Sequence, residues 1–69
     1  KVAVYAGSPA LDKTLAESQL RSFDITVLAI IRGNQTIPNP GANTKVLLND
    51  ELICFGNLEN IRNKICMNP

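Results

Sequence analysis

The chain has 69 residues, a net charge of +1, no His, and 45% hydrophobic but only 4% aromatic residues. One domain of this length buries only about 60% of the surface its unfolded chain exposes, so a core of Ile, Leu, Val and Ala needs a second surface to lean on. The missing histidine excludes Ser-His-Asp and Cys-His nucleophiles and H-E-x-x-H metal sites, and the even charge balance excludes the basic patch of a nucleic-acid reader.

Val2-Ala3-Val4-Tyr5-Ala6 reads as a first strand, stopped by the turn Gly7-Ser8-Pro9. Thr14-Leu15-Ala16-Glu17 has the S/T-x-x-E spacing of a capping box. It opens a short helix over Leu15 to Leu20, with Leu15 and Ala16 expected to face inward. Ile25-Thr26-Val27-Leu28-Ala29-Ile30-Ile31 is the strongest strand signal, β-branched and nearly continuous, and predicts a central strand buried on both faces. Arg32-Gly33-Asn34-Gln35 then supplies a hairpin turn and Thr36-Ile37 a return strand. Pro38-Asn39-Pro40-Gly41 ends that strand, because proline cannot donate to a ladder. Thr44 to Leu48 reads as a further extended piece, and Asn49-Asp50 as a turn. Glu51-Leu52-Ile53-Cys54-Phe55 follows as a strand closed by Gly56. Asn57 caps a last helix whose apolar residues are Leu58, Ile61 and Ile65. The fold class is therefore α/β in the α+β sense: a small mixed sheet with one or two short helices, in the order β-α-β-β-β-α. Residues 1–69 are expected to form one domain, and the start at Lys1 rather than Met suggests a fragment of a longer protein or a processed chain, the fragment being the expectation.

No acid–base pair emerges. Asp50-Glu51 is expected at a solvated turn, and the other carboxylates are scattered. The chain is therefore expected to be no enzyme, with no catalytic residues. Two cysteines without a histidine do not complete a four-ligand zinc site, so no metal and no cofactor are expected. Cys54, in a strand, and Cys66, at the end of the last helix, read as reduced structural thiols, which points to a reducing compartment. The longest apolar run, Val27 to Ile31, is far short of the about 18 residues of a membrane span, so direct membrane insertion is not expected. The stretch from Ile30 to Pro40 concentrates an arginine, carboxamides and rigid apolar residues at a hairpin. Its Arg32 has the chemistry to stack on a purine or bond a phosphate. The alternative is a plain exposed turn with an edge strand blunted by Pro38.

Several pieces stand in a family-like order: Ser8-Pro9 with Lys13-Thr14-Leu15, then Leu20-Arg21, Ile25 through Arg32-Gly33, Thr36-Ile37-Pro38-Asn39-Pro40, and Asn49-Asp50-Glu51-Leu52-Ile53 followed by Gly56. Together they resemble the C-terminal RCK domain, also called the TrkA C-terminal domain, of potassium channel and transporter regulators. Asp12 and Asn49 stand where that family usually has glycine. Both residue types tolerate left-handed backbone, so the fold is expected to survive the change.

The resemblance implies a cytoplasmic homodimer that senses a small ligand. Its partner is a membrane transporter or channel at the inner face of the cell membrane, or an N-terminal RCK domain on the parent chain. Some members of the family bind cyclic di-AMP in a cleft at the dimer interface. Carried over by motif position, the ligand-binding residues are Ile30, Ile31, Arg32, Ile37, Pro38 and Pro40, with Asn34 and Asn39 as polar neighbours. The alternative is a purely structural dimerisation module appended to an enzyme such as an ATP-dependent ligase.

Overall fold

The β-branched run of the middle sequence becomes the longest strand, β2 (Ile25–Arg32). Around it the computed structural model, which describes residues 1–66, places β1 (Val2–Ala3), α1 (Leu15–Ser18), β3 (Gln35–Pro38), β4 (Glu51–Gly56) and α2 (Leu58–Ile61). The α+β class and the element order are those the sequence implies.

The four-stranded sheet has the order β1-β4-β2-β3, and each of its pairings is antiparallel. It is not the mixed sheet expected. β1 and β2 do run in the same direction, but β4 inserts between them and runs against both, so no parallel ladder forms. A two-residue loop joins β2 to β3, with Arg32 opposite Gln35. Gly33 alone takes positive φ there, at 61°, the pattern of a II′ turn whose twist suits the flanking strands. Gly56 ends β4 where a Cβ would run into the carbonyl oxygen of Asp24.

The capping box forms: Thr14 Oγ1 accepts from the Glu17 N–H at 3.1 Å, and Glu17 Oε1 accepts from the Thr14 N–H at 2.9 Å. The helix stops sooner than expected, at Gln19 with φ 56°, and a tighter 3₁₀ turn over Leu20–Phe23 leads to Asp24 at φ 60°. That early turn carries Leu20 into the core and leaves Ala16 exposed rather than inward. The extended piece at 44–48 lies outside the sheet. It ties to the segment before α1, with the Asp12 N–H donating to Val46 O and the Val46 N–H to Lys13 O, each at 2.8 Å. Asp12 and Asn49 adopt φ of 64° and 71°, the left-handed backbone expected of them.

The core is aliphatic, built on Val4, Leu20, Ile25, Ile30, Leu52 and Ile65. Every one of these packs under one face of the sheet or in the segments that cover it. β2 is therefore buried on one face only, contrary to the expectation of two. Its register slips between Val27 and Ala29, leaving Leu28 as an extra residue that is 48% exposed. At the last helix, the Asn57 side chain accepts from the N–H groups of Glu59 and Asn60. A wider π-type turn over Arg62–Cys66 follows α2; Ile61 of the helix and Ile65 of the turn face inward, while Leu58 stays outside at 78% exposure. The expected inward face thus loses Leu58.

Candidate functional site

Arg32 closes β2, and Asp50 immediately precedes β4. Arg32 Nε donates to Asp50 Oδ1 at 2.9 Å and Nη2 to Oδ2 at 2.7 Å, and Nη2 also donates to the Lys45 carbonyl at 2.8 Å. The Leu47 N–H adds a fourth bond, to Asp50 Oδ2 at 2.8 Å. Asp50 is buried, so the expected solvated turn is corrected at this position; only its neighbour Glu51 is partly open, 3.9 Å from Lys1. Burial pushes the Asp50 carboxyl up. The hydrogen bonds from Arg32 and the Leu47 amide, with the guanidinium charge, outweigh it and hold the group below its ordinary value. Arg32 is raised in turn, chiefly by its bonds to Asp50.

A second feature lies along the lateral edge of β2. The β3 ladder reaches only to Ala29 opposite Pro38, so no strand flanks Ile25–Val27 on that side. The chain after Pro40 crosses instead to α1, where the Ala16 N–H donates to Ala42 O and the Leu15 N–H to Thr44 O, both at 3.0 Å. The gap left between is a cavity of about 330 Å³. Leu15, Leu20, Ile25, Val27, Pro40 and Ala42 give it apolar walls, and Gln19, Arg21, Ser22 and Thr26 a polar rim. The Arg21 side chain is exposed and makes no ion pair among the described residues. Apolar walls with a few convergent polar groups are the general form of a small-molecule site.

The residues singled out in the sequence are dispersed. Ile30 is fully buried and Ile37 packs against the core. Ile31 and Pro38 lie on the uncovered side of the sheet, and Arg32 is engaged by Asp50. Asn34 is at the hairpin tip, and Asn39 is exposed with its N–H donating to Leu28 O at 2.9 Å. Only Pro40 reaches the cavity. The other lining residues come from α1, the 3₁₀ turn, the start of β2 and Ala42, and among those of the 3₁₀ turn the Leu20-Arg21 pair was the one available signal. Cys54 and Cys66 are free and half-buried, and burial pushes the Cys54 thiol above its ordinary range. No cluster suited to a metal ion occurs among the described residues, and no helix among them is long and apolar enough to cross a membrane.

An antiparallel sheet covered on one face by short helices, with a cavity at its lateral edge, defines a small α+β domain of a compact type. The chain matches the TrkA-C domain over residues 1–64, and it belongs to that family. It is 42% identical over 59 residues to a probable alpha-L-glutamate ligase of Rhodopirellula baltica, covering 86% of this chain and 15% of the relative. It is 36% identical over 64 residues to the K(+)/H(+) antiporter subunit KhtT of Bacillus subtilis, covering 90% of this chain and 39% of that subunit. The chain thus spans well under half the length of either relative.

Proposed function

We propose that this chain is a regulatory domain of a potassium-transport protein, acting on the cytoplasmic side as a ligand-sensing homodimer without catalytic activity. Family membership and the likeness to a K(+)/H(+) antiporter subunit support the transport setting. The cavity beside Arg21 is the observation that carries the sensing role. Its about 330 Å³ lies at the low end of the roughly 300–1,000 Å³ of small-molecule pockets, suited to one heteroaromatic base rather than a whole dinucleotide. A two-fold dimer presents the cavity twice, and cyclic di-AMP is itself two-fold, with one adenine for each copy. Apolar walls would stack the base while Arg21 reaches the phosphate. This reading moves the ligand contacts from the hairpin to α1 and the start of β2, with Pro40 common to both. The ligand acts by binding one dimer geometry better than another, and shifts the parent protein by that difference in affinity.

The likeness to a ligase over 86% of the chain favours a second reading, a structural dimerisation module with no ligand. Calorimetry with cyclic di-AMP on the 69-residue chain separates the two. Saturable heat that is weakened in Arg21→Ala supports sensing; no heat from a folded dimer supports the structural module.

A further inference from the structure

The last helical segment crosses beneath β4. At one end, Asn60 Nδ2 donates to the Phe23 carbonyl at 3.0 Å, and Lys64 Nζ lies 4.0 Å from the centre of the Phe23 ring. Phe23 stands just before β2, at the end of the sheet where Ile25 faces Gly56. The π-type turn that carries Lys64 also contacts β1, which pairs with β4 at Leu52. Because β4 lies between β1 and β2, the turn passes under β4 between Gly56 and Leu52. Cys54 is midway between those two. It is two residues from Leu52 and so points to the same core face, while Cys66 closes the turn. Both cysteines pack against the one aliphatic core, and both are half-buried, so neither is sealed from a small reagent.

We propose that Cys54 and Cys66 are a dithiol pair that oxidation joins into a disulfide, tying the last turn to the strand it crosses. The oxidant is a low-molecular-weight disulfide of the glutathione class. One protein thiolate attacks a sulfur of the small disulfide and expels a small thiolate, leaving a mixed disulfide. The second protein thiolate then attacks the protein sulfur of that bond and expels the other small thiolate. The two protein thiol protons end on the two small thiols. One S–S bond within the protein replaces the small one, and two electrons pass to the small disulfide. The surroundings of Cys54 agree with a second thiol close by: burial pushes its thiol up, the amino terminus draws it back, and the Cys66 sulfur adds to the rise. In the reduced state the turn is anchored on the Phe23 side, through Asn60 and Lys64. The disulfide fastens it on the β4 side as well, so oxidation stiffens the packing of the last helix on the sheet.

Incubation of the 69-residue chain with oxidised glutathione, followed by mass spectrometry and thermal unfolding, tests the inference. The wild type is expected to lose both free thiols, to retain no glutathione and to form no bond between chains. Its melting temperature should rise by about 10 °C or more, the gain of closing a short loop in a domain of this size. Trypsin cuts after Arg62 and Lys64, so without reductant the bond appears as two joined peptides, one holding Cys54 and the other Cys66. Dithiothreitol should reverse both the bond and the rise. Cys54→Ser and Cys66→Ser should each stop at the mixed disulfide, with one glutathione and no rise in melting temperature. Should a serine variant fail to fold, the tryptic map of the wild type decides by itself. A wild type that carries two glutathiones, or disulfides only between chains, has its sulfurs out of reach of each other and overturns the inference. So does a folded wild type that stays fully reduced while its denatured form reacts, or a serine variant that gains the same melting temperature.

Discussion

Arg32 and Asp50 lie 18 residues apart in sequence and meet through two parallel bonds, with the Asp50 side chain 2% exposed and that of Arg32 32%. The carboxylate is the buried partner and the guanidinium its cover. The pair clamps the end of the β2–β3 hairpin to the loop before β4, and the Lys45 carbonyl and Leu47 amide join the same clamp. In this geometry Arg32 is a structural residue, and its Nε and Nη2 are already committed.

Arg32→Ala should therefore act on stability before it acts on any ligand. Removing one partner of a buried pair costs about 3–5 kcal/mol, because the remaining charge is stranded. At about 0.05–0.15 kcal/mol per residue a domain of this length holds roughly 3–10 kcal/mol, so the variant should lose a large part of its stability. Arg32→Lys keeps the charge but not the fork, and should fall between. Urea titration followed by circular dichroism measures all three. Equal midpoints for wild type and Arg32→Ala would remove the clamp from the account.

The same pair sets an acid limit. Asp50 is held below its ordinary value of 3.8, so its contribution is complete above about pH 4 and is lost as pH falls through the lowered folded value. Exposed Glu17 is also lowered, first by its bond to the Thr14 backbone and then by the Thr14 hydroxyl, and drifts the same way. Asp50→Asn isolates the buried group: it should be less stable at neutral pH and show a flatter decline below pH 4. Thermal melts across that range give the comparison, and parallel declines would assign the acid sensitivity elsewhere.

What the sequence revealed here was local. The Thr14–Glu17 box, the glycine of the hairpin and the left-handed Asp12 and Asn49 each depend on residues within a turn, so spacing alone exposes them. Asp50 read as a surface turn residue because the group that buries it lies 18 positions upstream. β4 inserting between β1 and β2 is equally invisible to a linear reading, and it is what made the sheet antiparallel. The single-sided burial of β2 follows from having helices on one face only, which a continuous hydrophobic run cannot disclose. The cavity arises where a ladder ends, so its lining is drawn from four separate segments and no one motif marks it.

Left-handed backbone at Asp12 and Asn49, two of the five non-glycine residues with positive φ, makes a sharp prediction. Asp12→Ala and Asn49→Ala should each destabilise by about 1–2 kcal/mol, since alanine at positive φ crowds its Cβ against the carbonyl. Asn49→Gly should be nearly neutral, as relief of that crowding is offset by a more flexible unfolded chain. Thermal unfolding of the three variants tests the ordering. A glycine variant less stable than the alanine one would show that the Asn49 side chain, not its backbone, matters at the turn.

The cavity can be filled without touching the sheet faces. Ala42 is exposed, lines the cavity wall and accepts the Ala16 N–H through its backbone only, so Ala42→Phe leaves that bond in place. The ring should occupy the space proposed for a base, abolishing the cyclic di-AMP heat while melting temperature and dimerisation stay at wild-type values. Arg21→Ala leaves the space but removes a charged hydrogen bond, worth about 1.5–3 kcal/mol, and should weaken binding by roughly ten- to a hundredfold. Arg21→Lys should recover part of that loss, because a point charge still meets the phosphate without the fork. This ordering, with Ala42→Phe worst and Arg21→Lys mildest, is specific to a base in the cavity and a phosphate at its rim. A ligand bound at the hairpin would instead ignore Ala42→Phe and respond to Asn34→Ala, and calorimetry on those variants distinguishes the two placements.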